Sequence, residues 1–203
     1  MSEDKTIGKK KPYFLYIVTG IFLNCAFRVI SVKLGFPALL DSLGTVFAAY
    51  YGGIVPGVIC ASVSGALCVA TSPADIYYIV PGVAVAAASG FLSAKSHFMK
   101  RLLDAMNATL ILCVVKTVFL SAINIALFEG KTGFYYPDAI IDYLDLFNIP
   151  WVIRCAVASL YICFVDMFFA VNVLFFATKQ AKYIKKKRRA AELKKALGKK
   201  KNT

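Results

Sequence analysis

The residues of this chain with the most chemical capacity are polar and charged side chains that lie inside long apolar runs. Each ionisable group costs about 2.5–3.5 kcal/mol to place in a membrane-spanning helix, so each needs a partner or a wet cavity. We predict that one such set converges near one end of a helical bundle: Asn24, Arg28, Asp41, Thr45, Tyr78, Asn124, Trp151 and Arg154. Donors, acceptors and aromatic rings gathered at one depth in an apolar wall are typical of a small-molecule pocket.

Four of the charged residues suggest pairs. Arg28 and Asp41 lie about one turn from the ends of consecutive apolar segments joined by a short loop, so they are expected to reach each other. Lys116 and Asp166 are expected at matching depth on neighbouring segments, nearer the opposite end, and we predict a structural ion pair there rather than a proton relay. The two arginines in the predicted pocket, Arg28 and Arg154, would suit an anionic or carboxylate-bearing ligand.

Catalytic constellations are absent from the sequence. It contains no HExxH, no GxSxG and no P-loop, so the chain is not expected to be an enzyme or to hydrolyse ATP by itself. Its one histidine, His97, cannot build a His/Cys metal cluster, and no metal or cofactor is expected. The six cysteines all lie in apolar runs, where a thiol behaves as a small hydrophobic side chain.

Composition indicates a membrane protein. Hydrophobic residues make up 59% of the 203 residues and charged residues 17%, yet the formal net charge is +13. The basic residues are concentrated in residues 5–11, 95–101 and 179–203, which separates them from the apolar runs. We therefore predict a cytoplasmic basic N-terminus (1–12), a membrane domain (13–178) and a cytoplasmic Lys-rich tail (179–203). The tail has no aromatic residue after Tyr183 to stack bases, which favours anionic membrane lipid over nucleic acid as its partner.

The predicted fold is all-α, a polytopic membrane protein with six transmembrane helices in one bundle. The predicted spans are Tyr13–Ser31, Ala38–Val55, Pro56–Thr71, Ile76–Ala94, Ala108–Phe128 and Trp151–Thr178. Because cytoplasmic loops carry the Lys/Arg excess, both termini are placed in the cytoplasm of a bacterial cell, with the protein in its plasma membrane. Four spans would result instead if the second and third segments formed a re-entrant hairpin. Residues 180–197 are expected to extend the last helix.

Small residues recur every four positions along three of these segments. Gly44, Ala48 and Gly52 share one face of the second, and similar faces occur on the third and fourth. Such faces let helix backbones approach closely in a bilayer. They serve either packing within the bundle, which we favour, or docking of a partner membrane protein.

Two stretches carry a family resemblance. One is Phe36–Thr45, followed by the pairs Gly52-Gly53 and Pro56-Gly57. The other is Leu127–Gly133, followed by Asp138 and by the last span with Asp166. Over residues 12–178 the chain resembles the substrate-binding S components of energy-coupling factor (ECF) transporters.

The resemblance implies a substrate-capture subunit of an ATP-driven importer. S components are six-helix proteins with cytoplasmic termini that bind a vitamin or related micronutrient near the extracellular side. They associate with a transmembrane T component and two ATPase subunits. In the family the first loop acts as a gate, which here would be Val32–Pro37. This chain lacks the Ala-x-x-x-Ala patch with which the first helix docks the T component; Gly20 with Asn24 is nearest. A membrane sensor of a signalling system and a small autonomous carrier remain the alternatives.

Overall fold

The fold is a bundle of α-helices. The computed structural model describes residues 12–36, 38, 40–70, 72–95, 98–131 and 135–200, and within these ranges it has seven helices and no strand. The helices are α1 Tyr13–Leu34, α2 Leu43–Gly52, α3 Ile54–Val69, α4 Asp75–Ala94, α5 Leu102–Leu127, α6 Tyr135–Asp145 and α7 Trp151–Lys200. The predicted all-α class is confirmed. Residues 1–11, which hold the N-terminal basic cluster, lie outside the described residues, as do Pro37 and His97.

Helix length separates two groups of apolar helices. Four helices, α1, α4, α5 and α7, are long and apolar enough to cross a membrane. In contrast, α3 has 16 residues and α2 has 10. At a rise of about 1.5 Å per residue, α2 covers about half of a hydrocarbon core that is about 30 Å thick. The chain is thus a membrane-embedded bundle. Six spans stay a prediction, and the short α2 and α3 fit the re-entrant alternative.

The short helix α2 lies at the centre of the bundle. It contacts α1, α3, α4 and α7. Irregular or broken backbone at membrane depth must be buried in protein, with its polar groups paired. Asn24 on α1 meets this need, because its Oδ1 accepts hydrogen bonds from two N–H groups in the first turn of α2. These are the N–H groups of Gly44, at 2.6 Å, and of Thr45, at 3.3 Å. One buried side chain thereby fixes where α2 begins.

Glycines bring these helices into backbone contact. A Cβ added to Gly44 would lie 1.8 Å from the carbonyl oxygen of Gly20, so α1 and α2 touch directly there. A Cβ on Gly57 would lie 2.7 Å from Ala49, and one on Gly90 would lie 2.6 Å from a side-chain carbon of Ile54. These small-residue faces therefore pack within the bundle, as favoured above. Gly20, which is nearest to the docking patch of the family, is covered by α2.

Outside the predicted spans, one stretch of helix was expected and two were not. The expected extension of the last helix is confirmed, since α7 continues to Lys200 and side chains 179–190 are exposed. Helix α6, in contrast, lies between the predicted fifth and sixth spans, where no helix was predicted, and it packs against α7. The fifth helix begins at Leu102, one to two turns before the predicted start at Ala108.

The contact between Gly20 and Gly44 predicts a strong steric effect. Gly44→Ala should lower the free energy of unfolding by about 3 kcal/mol or more, because a methyl group would overlap a backbone oxygen that cannot move aside. The measurement is thermal unfolding of the purified protein in nanodiscs. Gly82→Ala is the matched control, since its Cβ would lie 3.6 Å from Ala61. Equal stability of the two variants would contradict the close contact.

Candidate functional site

Five charged side chains form one continuous chain of ion pairs inside the bundle. Arg28 bridges two carboxylates: its Nη2 bonds Asp75, and its Nη1 lies 3.7 Å from Asp41 Oδ2. Lys116 does the same on the other side, with its Nζ 3.4 Å from Asp41 Oδ1 and in contact with Asp166 Oδ2. Asp41 therefore joins the two halves, and the order of the network is Asp75, Arg28, Asp41, Lys116, Asp166.

The backbone before α2 delivers Asp41 to this position. Residues 40–42 are not helical, and Leu40 has a φ of 54°, in the left-handed region that a branched side chain rarely adopts. Ser42 then adds a second link, because it accepts a hydrogen bond from Lys116 Nζ at 2.8 Å and donates one to Asp166 Oδ2 at 2.6 Å. The network thus depends on an unwound segment between α1 and α2.

Both predicted pairs are present, but the prediction that they are separate from each other was wrong. Arg28 pairs with Asp41, and Lys116 pairs with Asp166, as the sequence suggested. They were expected at different depths, whereas they share Asp41. Because α5 begins at Leu102, Lys116 lies near the middle of its helix rather than towards one end. The unwound residues 40–42 let Asp41 reach that depth.

Two buried amides organise the neutral part of the site. Asn24 Nδ2 donates to the hydroxyls of Thr45, at 2.9 Å, and of Ser64, at 3.0 Å. Asn124 Oδ1 accepts a hydrogen bond from the phenol hydroxyl of Tyr78 at 2.9 Å. Asn24 and Asn124 are 2% and 1% exposed. Their hydrogen bonds hold α1, α2 and α3 together on one side, and α4 and α5 on the other.

These polar groups surround one cavity of about 80 Å³. With about 10–15 Å³ needed for each water, it has room for roughly half a dozen waters or a small organic group. Its lining includes six of the eight predicted site residues, the remaining charged residues and several apolar ones: Asn24, Arg28, Asp41, Thr45, Tyr78, Asn124, Asp75, Lys116, Asp166, Ala61, Leu120 and Ile162. The structure therefore gathers most of the predicted set around one space.

Trp151 and Arg154 do not line this cavity. Arg154 Nη1 instead pairs with Asp145 at the end of α6, and Trp151 is 44% exposed, packed over Gly130. The expectation that both belong to the same pocket was wrong. The reason is α6, because it supplies a carboxylate for Arg154 at the edge of the bundle.

Sequence reasoning did not include Ser42 among the site residues, and it missed two further contributors to the cavity. Asp75 is 6% exposed and belongs to the first turn of α4, whereas the fourth span was expected to start one residue later. An acid directly before an apolar run was the available signal, since a carboxylate is favoured at a helix N-terminus. Ser64 is the other, and its single hydroxyl in an apolar helix gave little indication of its partner. Among the described residues, no group of three or more His, Cys, Asp or Glu could hold a metal ion.

Comparisons with known proteins add no relative. No family model, no curated protein and no solved structure matches this chain.

The ion-pair network predicts a rescue experiment. Lys116→Gln should cost about 3–5 kcal/mol of unfolding free energy, because it leaves the buried Asp166 and the half-buried Asp41 without their shared cation. Adding Asp166→Asn should recover most of this loss, since the double variant regains the net charge of the original network. Chemical unfolding in detergent micelles measures both. Lys100→Gln, at an exposed position, should stay within about 0.5 kcal/mol of the unchanged protein. A double variant no more stable than Lys116→Gln would contradict the pairing.

Proposed function

We propose that this protein is the substrate-capture (S) subunit of an ECF-type importer, and that a polar group of its ligand, a vitamin or related micronutrient, binds in the cavity around the ion-pair network. The observation that supports this most is the cavity itself, with five charged side chains around it inside a membrane-embedded bundle. Charges at membrane depth are costly, and where they border a cavity they typically mark a path or site for a polar solute.

The position of the cavity suits capture of a ligand. Its lining comes from α1, α2, α3, α4, α5 and α7 and from the segment that leads into α2. A ligand that entered between these elements would contact nearly every helix of the membrane domain at once. A ligand that binds one packing of these helices more tightly than another would shift the bundle toward that packing, and this shift would report occupancy to the partners. Energy would come from two ATPase subunits through a T component.

Docking of the T component would need a surface other than the usual patch. Gly20 and Asn24 are both buried against α2, so neither is available to a partner. The opposite face of α1 is apolar and exposed, with Phe14 80% and Phe22 69% exposed. We place the membrane partner, or lipid in its absence, on that face. The bacterial plasma membrane, the cytoplasmic termini and the six-span count belong to the same proposal.

One observation favours a second candidate, a membrane sensor. Helix α7 runs without interruption from the cavity residue Asp166 into the exposed basic segment 179–190. Its 50 residues make a rod about 75 Å long at 1.5 Å per residue. A rotation or shift of α7 on ligand binding would reach a cytoplasmic partner directly through such a rod.

Purification from native membranes tests the importer proposal. The tagged chain should bring down a T component and two ATPases, and denaturation should release a small molecule of vitamin size that mass spectrometry identifies. Gly82→Leu should release none, because a side chain at this lining position fills the cavity without altering its charges. Gly82→Ala is the matched control and should retain the ligand.

The alternatives give different results in the same preparation. A sensor would retain the ligand but bring down a cytoplasmic signalling protein rather than ATPases. An autonomous carrier would take up the ligand in vesicles that contain no ATPase. Absence of both a retained ligand and ATPase partners would contradict the importer proposal.

A further inference from the structure

The ion-pair network is not electrically balanced. Its three carboxylates are Asp41, Asp75 and Asp166, and its two cations are Arg28 and Lys116. No other charged residue lines the cavity among the described residues. If all five groups carry their usual charges, the cavity has a formal charge of −1. A charge buried at membrane depth is expensive unless something neutralises it.

One carboxylate oxygen of the network has no hydrogen-bond partner. Asp166 is 2% exposed, and both of its hydrogen-bond donors, Lys116 and Ser42, bind the same oxygen, Oδ2. The other oxygen, Oδ1, is buried and has no hydrogen-bond partner. Buried polar atoms are nearly always paired, and a lone carboxylate oxygen is among the most costly exceptions. Asp166 also lines the cavity, so the carboxylate with the unpaired oxygen belongs to the cavity wall.

The basic residues of the site are not free to hold an anion. Arg28 is shared between two carboxylates, and Lys116 between two carboxylates and a hydroxyl. An anionic ligand would add a further negative charge to a network in which the carboxylates already outnumber the cations. Arg154, the other arginine expected to favour an anion, is paired with Asp145 outside the cavity. The anionic ligand suggested by the sequence therefore fits the structure poorly.

We propose that the cavity takes a ligand with one organic ammonium group, whose N–H groups bind the Asp166 carboxylate and whose charge neutralises the network. This inference deepens the proposed function and rests on it. A metal cation fits less well, because no described group of three or more acidic, Cys or His side chains could ligate one. The neighbouring lining, Tyr78, Pro81, Gly82 and Leu120, suits the carbon skeleton of an organic cation.

A series of three small probes of similar size and different charge tests the proposal. Ethanolammonium chloride, ethylene glycol and sodium glycolate are added in turn to the ligand-free protein in nanodiscs at constant ionic strength, with sodium chloride as the reference. Only ethanolammonium should raise the melting temperature, Tm, in a saturable manner. Its apparent Kd should weaken at least about tenfold in Asp166→Asn, because the counter-ion is lost. Asp145→Asn, which removes a carboxylate outside the cavity, should bind like the unchanged protein.

Each other result overturns the inference. A larger Tm increase with glycolate means an anion site. An equal increase with sodium chloride means a metal ion or general screening. No response to ethanolammonium means that Asp166 is neutralised by a proton instead. A retained ligand that carries no positive charge would also overturn it while leaving the importer proposal intact, because that proposal depends on the ATPase partners and on ligand retention.

Discussion

The structure depends on one constraint, which is that charges placed inside an apolar bundle must be neutralised by one another or by a ligand. Asp41 meets this constraint for two cations at once, since Arg28 approaches one of its oxygens and Lys116 the other. Without this carboxylate the site would divide into two separate pairs. The two cations come from helices distant in sequence, so the same residue also links α1 and α5 at the centre of the bundle. The binding site and the packing of the bundle therefore share one set of contacts.

The late start of α2 makes this arrangement of charges possible. Helix α2 begins only at Leu43, and the unwound residues before it carry Asp41 and Ser42 into the interior. A helix this short leaves backbone N–H groups to be satisfied within the bundle, which Asn24 does for Gly44 and Thr45. The close approach of Gly20 to Gly44 is a condition for this contact, because Asn24 lies one turn further along α1. Small residues, a buried amide and an unwound segment thus support the same site.

The features that depend on local composition could be predicted from the sequence. The features that depend on contacts between distant segments could not. Hydropathy predicted the helical class, and the cost of intramembrane charge predicted that Lys116 pairs with Asp166. The depth of Lys116 was misjudged, because α5 begins in a stretch where Asp104 and Asn107 interrupt the apolar run. Arg154 was assigned to the cavity because nothing in the sequence indicated that α6 would present Asp145 to it. The oxygen of Asp166 that lacks a hydrogen-bond partner could be found only from the structure.

The most direct test of a single network is a double-mutant cycle between Arg28 and Lys116, which do not pair with each other but share Asp41. Arg28→Gln, Lys116→Gln and the double variant are compared by reversible chemical unfolding, each with and without Asp41→Asn. One network predicts a coupling free energy of about 0.5–3 kcal/mol that disappears in the Asp41→Asn background. Effects that add to within about 0.5 kcal/mol when Asp41 is present would contradict it, because two independent pairs behave in that way.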